Sequence, residues 1–486
     1  MSDKYLNLHI RNILYSIFFA RIVTYNIGCG REITDLDTAK AIENNALQEA
    51  DNYQSAEYCK DCHPSQYDQW RQSMHSYATR SPVFEAMAAK AYRDSAGGVD
   101  VFCTKCHSVI GENLQENPLI HYTDRSSIAK EGITCVTCHQ TTAHTLPIGN
   151  ANITLDPLGV LYGPFGNTDQ SYHASATNEI LETPELCGSC HDVFMYPGIE
   201  IEQAYSEYVG SEADNNDVRC QDCHMSQIPG IPTDAQYGPI AVVEGENYPE
   251  RKLSSHFFTG PDYTLVEDWP FVGQDNSSIL QSSLDRTATL LSQSIEIADI
   301  SAIRNNGYID LTVELYNKTI GHNVPTGFTS ERQLWLDIQV LDSENTVIFQ
   351  SGDLDSYGDI RNAHSWDVQS GAVAEDTQLY NLQSENRVIK RHYMENGENE
   401  PNSVIEYYDA VFPFQATTII RNSLEPQETR SVEYSISLGQ SSTSYTIHIA
   451  LLYRNLPPYV LRELQLQDLT EKLHIFTLDE TEVVVR

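Results

Sequence analysis

Ten of the eleven cysteines in this 486-residue chain fall into five copies of one pattern. The copies are Cys59-Lys-Asp-Cys62-His63, Cys103-Thr-Lys-Cys106-His107, Cys135-Val-Thr-Cys138-His139, Cys187-Gly-Ser-Cys190-His191 and Cys220-Gln-Asp-Cys223-His224. Two thiols at this spacing can reach the two vinyl groups of one porphyrin. The histidine that follows can turn its imidazole onto the iron from the same side. The pattern predicts five covalently bound haem c groups, with His63, His107, His139, His191 and His224 as proximal ligands. Paired C-x-x-C also builds zinc sites, but the histidine after every pair and the odd number of pairs argue against zinc. Chance would supply on the order of 0.01 such copies per chain.

A sixth ligand for each iron must come from the other eleven of the sixteen histidines. His75, in Trp70-Arg-Gln-Ser-Met-His75, follows the first motif, and His173 precedes the fourth. His256 sits in Ser255-His-Phe-Phe-Thr-Gly260, after the fifth motif. His322 sits in Gly321-His-Asn-Val-Pro-Thr-Gly327, where glycine and proline would fix the backbone and let the imidazole project. These four are predicted distal ligands. For the fifth position His144 is the choice, with His121 or an open iron as the alternatives. His9, His364, His392, His448 and His474 are read as structural or surface residues.

The elements that must hold these groups divide the chain. The expected fold class is α+β: a loop-rich, mostly helical multihaem cytochrome domain over 55–280, then a β-sandwich of immunoglobulin type over 285–486. The five motifs leave roughly 45 residues per haem, too few for separate apolar cores, so the haems themselves are expected to form the core. Gly, Pro, Asn and Ser punctuate this segment and predict short helices, long loops and little sheet. The best helix runs from Pro82 to about Arg93 with Ser81 as N-cap. After about 285 period-two strands emerge at 308–316, 333–341, 346–350, 431–438, 445–452 and 483–486. Residues 355–415 are polar and read as a long insertion. The β domain is expected to supply the His322 ligand loop.

Charge bounds the partners. With 68 Asp and Glu against 30 Lys and Arg, the formal net charge is −38. Such a field excludes nucleic acid and anionic membrane surfaces and favours cationic redox partners. Residues 1–30 read as a signal or lipoprotein-type targeting segment, with Lys4 and Arg11 before the apolar run Ile13–Ala20, and 31–54 as an acidic linker. A lipid anchor at Cys29 and an ordinary cleaved signal are both open, because the position three before that cysteine is Asn26. No later stretch reaches the roughly 18 apolar residues of a membrane helix. The expected location is outside the cytoplasm, in the periplasm or at the cell surface.

Several contexts resemble the multihaem cytochromes related to cytochrome c-554 and to the haem core of hydroxylamine oxidoreductase. The matching residues are the first motif with Trp70 and Ser73-Met-His75, Tyr162-Gly-Pro164, and the fourth motif. They continue with Cys220-Gln-Asp-Cys-His-Met225, His256-Phe-Phe-Thr-Gly260, Gly321-His-Asn-Val-Pro-Thr-Gly327 and Leu451-Leu-Tyr-Arg454. The resemblance implies that His75, His256 and His322 are haem ligands and that the β domain closes over the haem cluster. Because the family holds both carriers and enzymes, it leaves the activity open. Electron transfer through mostly bis-His haems, with unidentified donor and acceptor proteins, is the leading expectation. An oxidoreductase with one open haem, acting on a nitrogen or sulfur oxyanion, is the second. A subunit of a homo-oligomer or cytochrome filament is the third.

Overall fold

Apolar and polar residues alternate along Tyr308–Asn317 and Gln333–Asp342, and in the computed structural model of the chain both segments are long strands. The structure describes residues 52–486 except 167–170, 196–197, 234, 249, 392–404 and 440–441. The targeting segment with Cys29, His9, His392 and nearly all of the acidic linker lie outside the described residues. Residues Tyr53–Arg486 form one compact unit of mixed helix and strand.

Up to Leu253 the chain is built of short helices and small ladders. Among the described residues the ladders pair β1 (Thr141–His144) with β2 (Ile153–Leu155) and β3 (Leu161–Gly163) with β4 (Ser175–Thr177). They also pair β5 (Val193–Met195) with β6 (Ile199–Glu202), β7 (Gln236–Pro239) with β10 (Glu250–Leu253), and β8 (Val242–Val243) with β9 (Glu246–Asn247). The expected helix is present as Pro82–Asp94. Ser81 caps it by accepting from the Phe84 N–H, and Pro82 opens it where a missing N–H costs nothing.

A helix, Ser277–Ser292, leads into the β-rich part. One antiparallel sheet has the order β11 (Ile295–Asn305), β12 (Tyr308–Asn317), β18 (Thr429–Ser437). A second has the order β14 (Val347–Ser351), β13 (Gln333–Asp342), β19 (Tyr445–Arg454), β20 (Phe476–Val485). Both feed one apolar core. Ile309, Leu311, Val313 and Leu315 of β12 join Leu334, Leu336, Ile338 and Val340 of β13 and Ile447, Ile449 and Leu451 of β19 in it. Each of these side chains contributes roughly 1.5–3 kcal/mol by leaving water, so the shared core is a major tie between the two sheets.

Two differences from the sequence reading have physical causes. Strand β11 escaped notice because its register against β12 shifts between Ile297 and Asp299, and the irregularity breaks the period of two. The segment read as an insertion holds β15 (Glu385–Arg391) and β16 (Ile405–Asp409) of a third antiparallel sheet, ordered β16, β15, β17, which β17 (Thr418–Ile420) completes just beyond it. Strands β15 and β16 are rich in charged and polar residues, and β17 is only three residues long, so none shows a clear apolar alternation.

Candidate haem-binding site

Each C-x-x-C-H motif closes about one turn of helix. The His63 N–H donates to the Cys59 carbonyl at 2.8 Å, His107 to Cys103 at 3.2 Å and His191 to Cys187 at 2.9 Å. Motifs three and five are the helices Cys135–His139 and Cys220–His224 themselves. Residues at i, i+3 and i+4 share one helix face, so this local fold puts both thiols and the imidazole of each motif on the same side. The second residue of motif four must be small: a Cβ on Gly188 would stand 2.4 Å from the Tyr205 ring.

All five faces open into one cavity of about 1900 Å³, where a single-ligand pocket is roughly 300–1,000 Å³. The ten motif cysteines line it, none of them in a disulfide. So do the five motif histidines and His75, His173, His256 and His322. Neither His144 nor His121 is among its lining residues. His144 lies on β1, with Nδ1 buried and no hydrogen bond to it among the described residues. His121 is tied at both nitrogens, by the Thr123 hydroxyl at 2.9 Å and by the Glu85 carboxylate at 3.3 Å. Of the histidines read as structural, His364 stacks on Tyr459 and His448 pairs with Glu482.

The backbone aims these rings. Nδ1 of His63, His139, His224, His256 and His322 contacts the carbonyls of Ile240, Tyr162, Thr259, Ser254 and Asn323 at 2.7–2.9 Å. His107 bonds the backbone of Ala78, and His173 the Ser175 hydroxyl at 2.8 Å. Occupying Nδ1–H leaves the Nε2 lone pair free, the usual arrangement of a metal-bound imidazole. Burial also holds the rings neutral. It lowers His63, His107, His139 and His224, takes His256 and His322 to about 4, and His75 to about 3. His75 is set by its surroundings: Ser73 caps its helix, and the Ile133 N–H donates to its carbonyl at 3.0 Å. Gly132 packs there at φ +69°, where a Cβ would stand 2.5 Å from the same oxygen.

Residues 58–140 match the family model of cytochrome c554 and c-prime. A solved structure, the penta-heme cytochrome c552 of Thermochromatium tepidum, shares the fold at 19% identity, with a TM-score of 0.55, over 89% of this chain and 99% of that one. No curated protein matches the sequence. These two likenesses, with the five motifs, support a multihaem c-type cytochrome. They support covalently bound haem c and a role in electron transfer.

The geometry of the donor set is compatible with haem iron. Two imidazoles on opposite faces of one metal, each bonded at about 2.0–2.1 Å, place their ring centres roughly 6.3 Å apart. The His75 and His191 rings are 6.3 Å apart, and the His224 and His322 rings 6.2 Å. His173 and His256 are each close enough to His63 and His139 for electrostatic coupling between the rings. His107 has Phe84 stacked on it at 4.2 Å instead.

The motifs also neighbour one another out of sequence order. Cys59 reaches Cys135, Cys106 reaches Cys190, and Cys187 reaches Cys220. Cys138 lies close to both Cys187 and Cys190. Motif four is therefore the junction where motifs two, three and five meet.

The cavity wall contains charged residues that the sequence reading passed over. Glu202 at the end of β6 contacts His191 Nδ1 at 3.0 Å. Burial alone would lower His191, but this carboxylate outweighs it and takes the imidazole up to about 8. Arg332 donates to Asp262 at 2.9 Å and to the Thr326 carbonyl. Glu331 lines the same cavity. Nothing local in the chain marks them, because each is brought in by a strand or loop that packs on the motifs from elsewhere.

Proposed function

We propose that this cytochrome is an exported five-haem electron carrier of the periplasm or cell surface. In this reading His63, His139, His191 and His224 hold bis-His haems, with His173 and His256 serving the first two, His75 the third and His322 the fourth. The observation that carries it is the ring spacing of the two facing pairs, which suits an iron between them. An iron with two protein ligands has no position for substrate, so it exchanges electrons only. The haem supplies a reversible one-electron couple; the protein supplies ligands, burial and spacing. The two sheets with one core support an immunoglobulin-like sandwich whose loop brings His322 to the haem segment. No helix among the described residues is long and apolar enough to cross a membrane.

His107 is the exception, and it favours a second reading for one site. Four distal histidines face the cavity for five motif histidines. The helix beside His107 presents Val83, Phe84, Met87, Ala88 and Ala91 to the cavity. An open haem there would bind a small uncharged molecule. That apolar face offers no acid or cation for an oxyanion, which favours transfer over oxyanion turnover. Electron paramagnetic resonance of the oxidised protein, with spins quantified against total haem, tests both readings. Four low-spin irons and one high-spin iron are expected. Two or more high-spin irons would defeat the bis-His carrier, and five low-spin irons would close the site at His107.

A further inference from the structure

The five motif histidines are not held alike. Four of them hydrogen-bond the backbone: His63 at Ile240, His107 at Ala78, His139 at Tyr162 and His224 at Thr259. His191 alone among them bonds a carboxylate, Glu202 Oε1 at 3.0 Å. Strand β6 delivers this glutamate. It pairs antiparallel with β5, which follows motif four directly, so the hairpin folds the carboxylate back onto its own motif. His75 faces the same imidazole from across the cavity, with ring centres 6.3 Å apart.

A backbone carbonyl and a carboxylate differ in what they do to a ligating imidazole. Both fix the tautomer, but the carboxylate draws the Nδ1 proton more strongly and makes Nε2 a better electron donor. Greater donation and a fixed negative charge nearby both stabilise the oxidised, more positive iron over the reduced one. Second-shell hydrogen bonding is one of the few means a protein has to set a haem potential. We infer that Glu202 makes the haem held by Cys187, Cys190 and His191 the most reducing of the chain. Glu202 is then a positioning and tuning residue, acting through His191. The inference rests on the reading of His191 as an iron ligand.

The location gives this tuning a consequence. Motif four adjoins motif two through Cys106 and Cys190 and motif five through Cys187 and Cys220, with Cys138 of motif three close by. A haem of low potential at that junction does not store electrons. It passes them between branches and keeps the equilibrium population on the haems either side. The other charged neighbour, Arg332, opposes Glu202 only in part, because its guanidinium is engaged by Asp262.

The test is Glu202→Gln in the full haem-loaded protein, which keeps an oxygen acceptor at His191 and removes the charge. Potentiometric titration followed by optical and paramagnetic resonance spectra reads the haems, and a pyridine haemochrome assay counts them. The most negative midpoint is expected to shift positive and merge towards its neighbours, with haem count and spin states unchanged. A titration curve superimposable on the wild type, with the full haem count, would overturn the inference. Should Glu202→Gln fail to accumulate, Glu202→Asp, which withdraws the carboxylate, is expected to shift the same midpoint the same way by less; an unmoved midpoint overturns the inference equally. The underlying reading fails separately: His191→Ala that leaves every low-spin signal in place removes His191 from the ligand set.

Discussion

Glu331 is buried with both carboxylate oxygens free of hydrogen bonds to the described residues. Desolvation pushes its carboxyl from an ordinary 4.5 up to about 8. The sign of the effect on stability follows. Between those values the folded protein holds the proton while the unfolded chain has released it, so stability is greatest below the lower value and declines as pH rises to the upper one. Glu331→Gln cannot ionise. Denaturant unfolding at pH 5 and pH 8 is expected to show the wild type losing on the order of 2–4 kcal/mol more than the variant across that interval. Equal losses would mean that Glu331 ionises freely in the folded protein. Nothing in Thr329-Ser-Glu331-Arg announces such a residue, and Glu202 in Ile199-Glu-Ile-Glu202 reads as an exposed strand position. The motif faces were legible because a single helical turn builds each of them. The pairing of His75 with His191 depends on tertiary packing, and no spacing in the chain encodes it. The same applies to His144: its place after motif three suggested a ligand, whereas it ends β1 and is not among the residues that line the cavity.

Elements rather than residues present His322. The loop from β12 to β13 is tied at its root by Asn317, whose side-chain amide donates to the carbonyls of His322 at 3.4 Å, Leu424 at 3.0 Å and Glu425 at 2.9 Å. On the haem side Glu207 of helix Ala204–Tyr208 accepts from the Asn323 N–H at 3.2 Å and the Thr326 hydroxyl at 2.5 Å. The loop is thus clamped between the sheets and the motif segment, which lets the β-rich part deliver a cavity-facing histidine. Asn317→Ala leaves buried carbonyls without a donor and is expected to cost about 2–4 kcal/mol. Loosening the loop is also expected to convert part of one low-spin haem signal to high spin. A variant that loses stability while all spin signals stay intact would show that Asn317 serves the sheets and not the ligand loop. At this scale the chain was readable where alternation is regular, as in β12, β13, β18 and β19. It was unreadable where a bulge interrupts β11 and where β15 and β16 carry charges.

For the molecule as a whole the dominant quantity is the charge of −38. Haem propionates make it more negative still. Such a field reaches far in dilute salt, where the screening length is about 30 Å at 0.01 M against about 10 Å at 0.1 M. An electron carrier meets its partners by diffusion, so the field selects among them before contact: cations are drawn in and anions held off. Reduction by a cationic metal complex is expected to slow by about tenfold or more as ionic strength rises over that range. Reduction by an anionic reagent such as dithionite is expected to accelerate, and a neutral mediator to be indifferent. Stopped-flow reduction at the haem bands measures all three. Opposed slopes for cation and anion would locate the steering in the global charge and point to donors or acceptors with basic docking faces. Parallel slopes would mean that electrons enter through a locally neutral patch, with the acidic surface serving solubility alone.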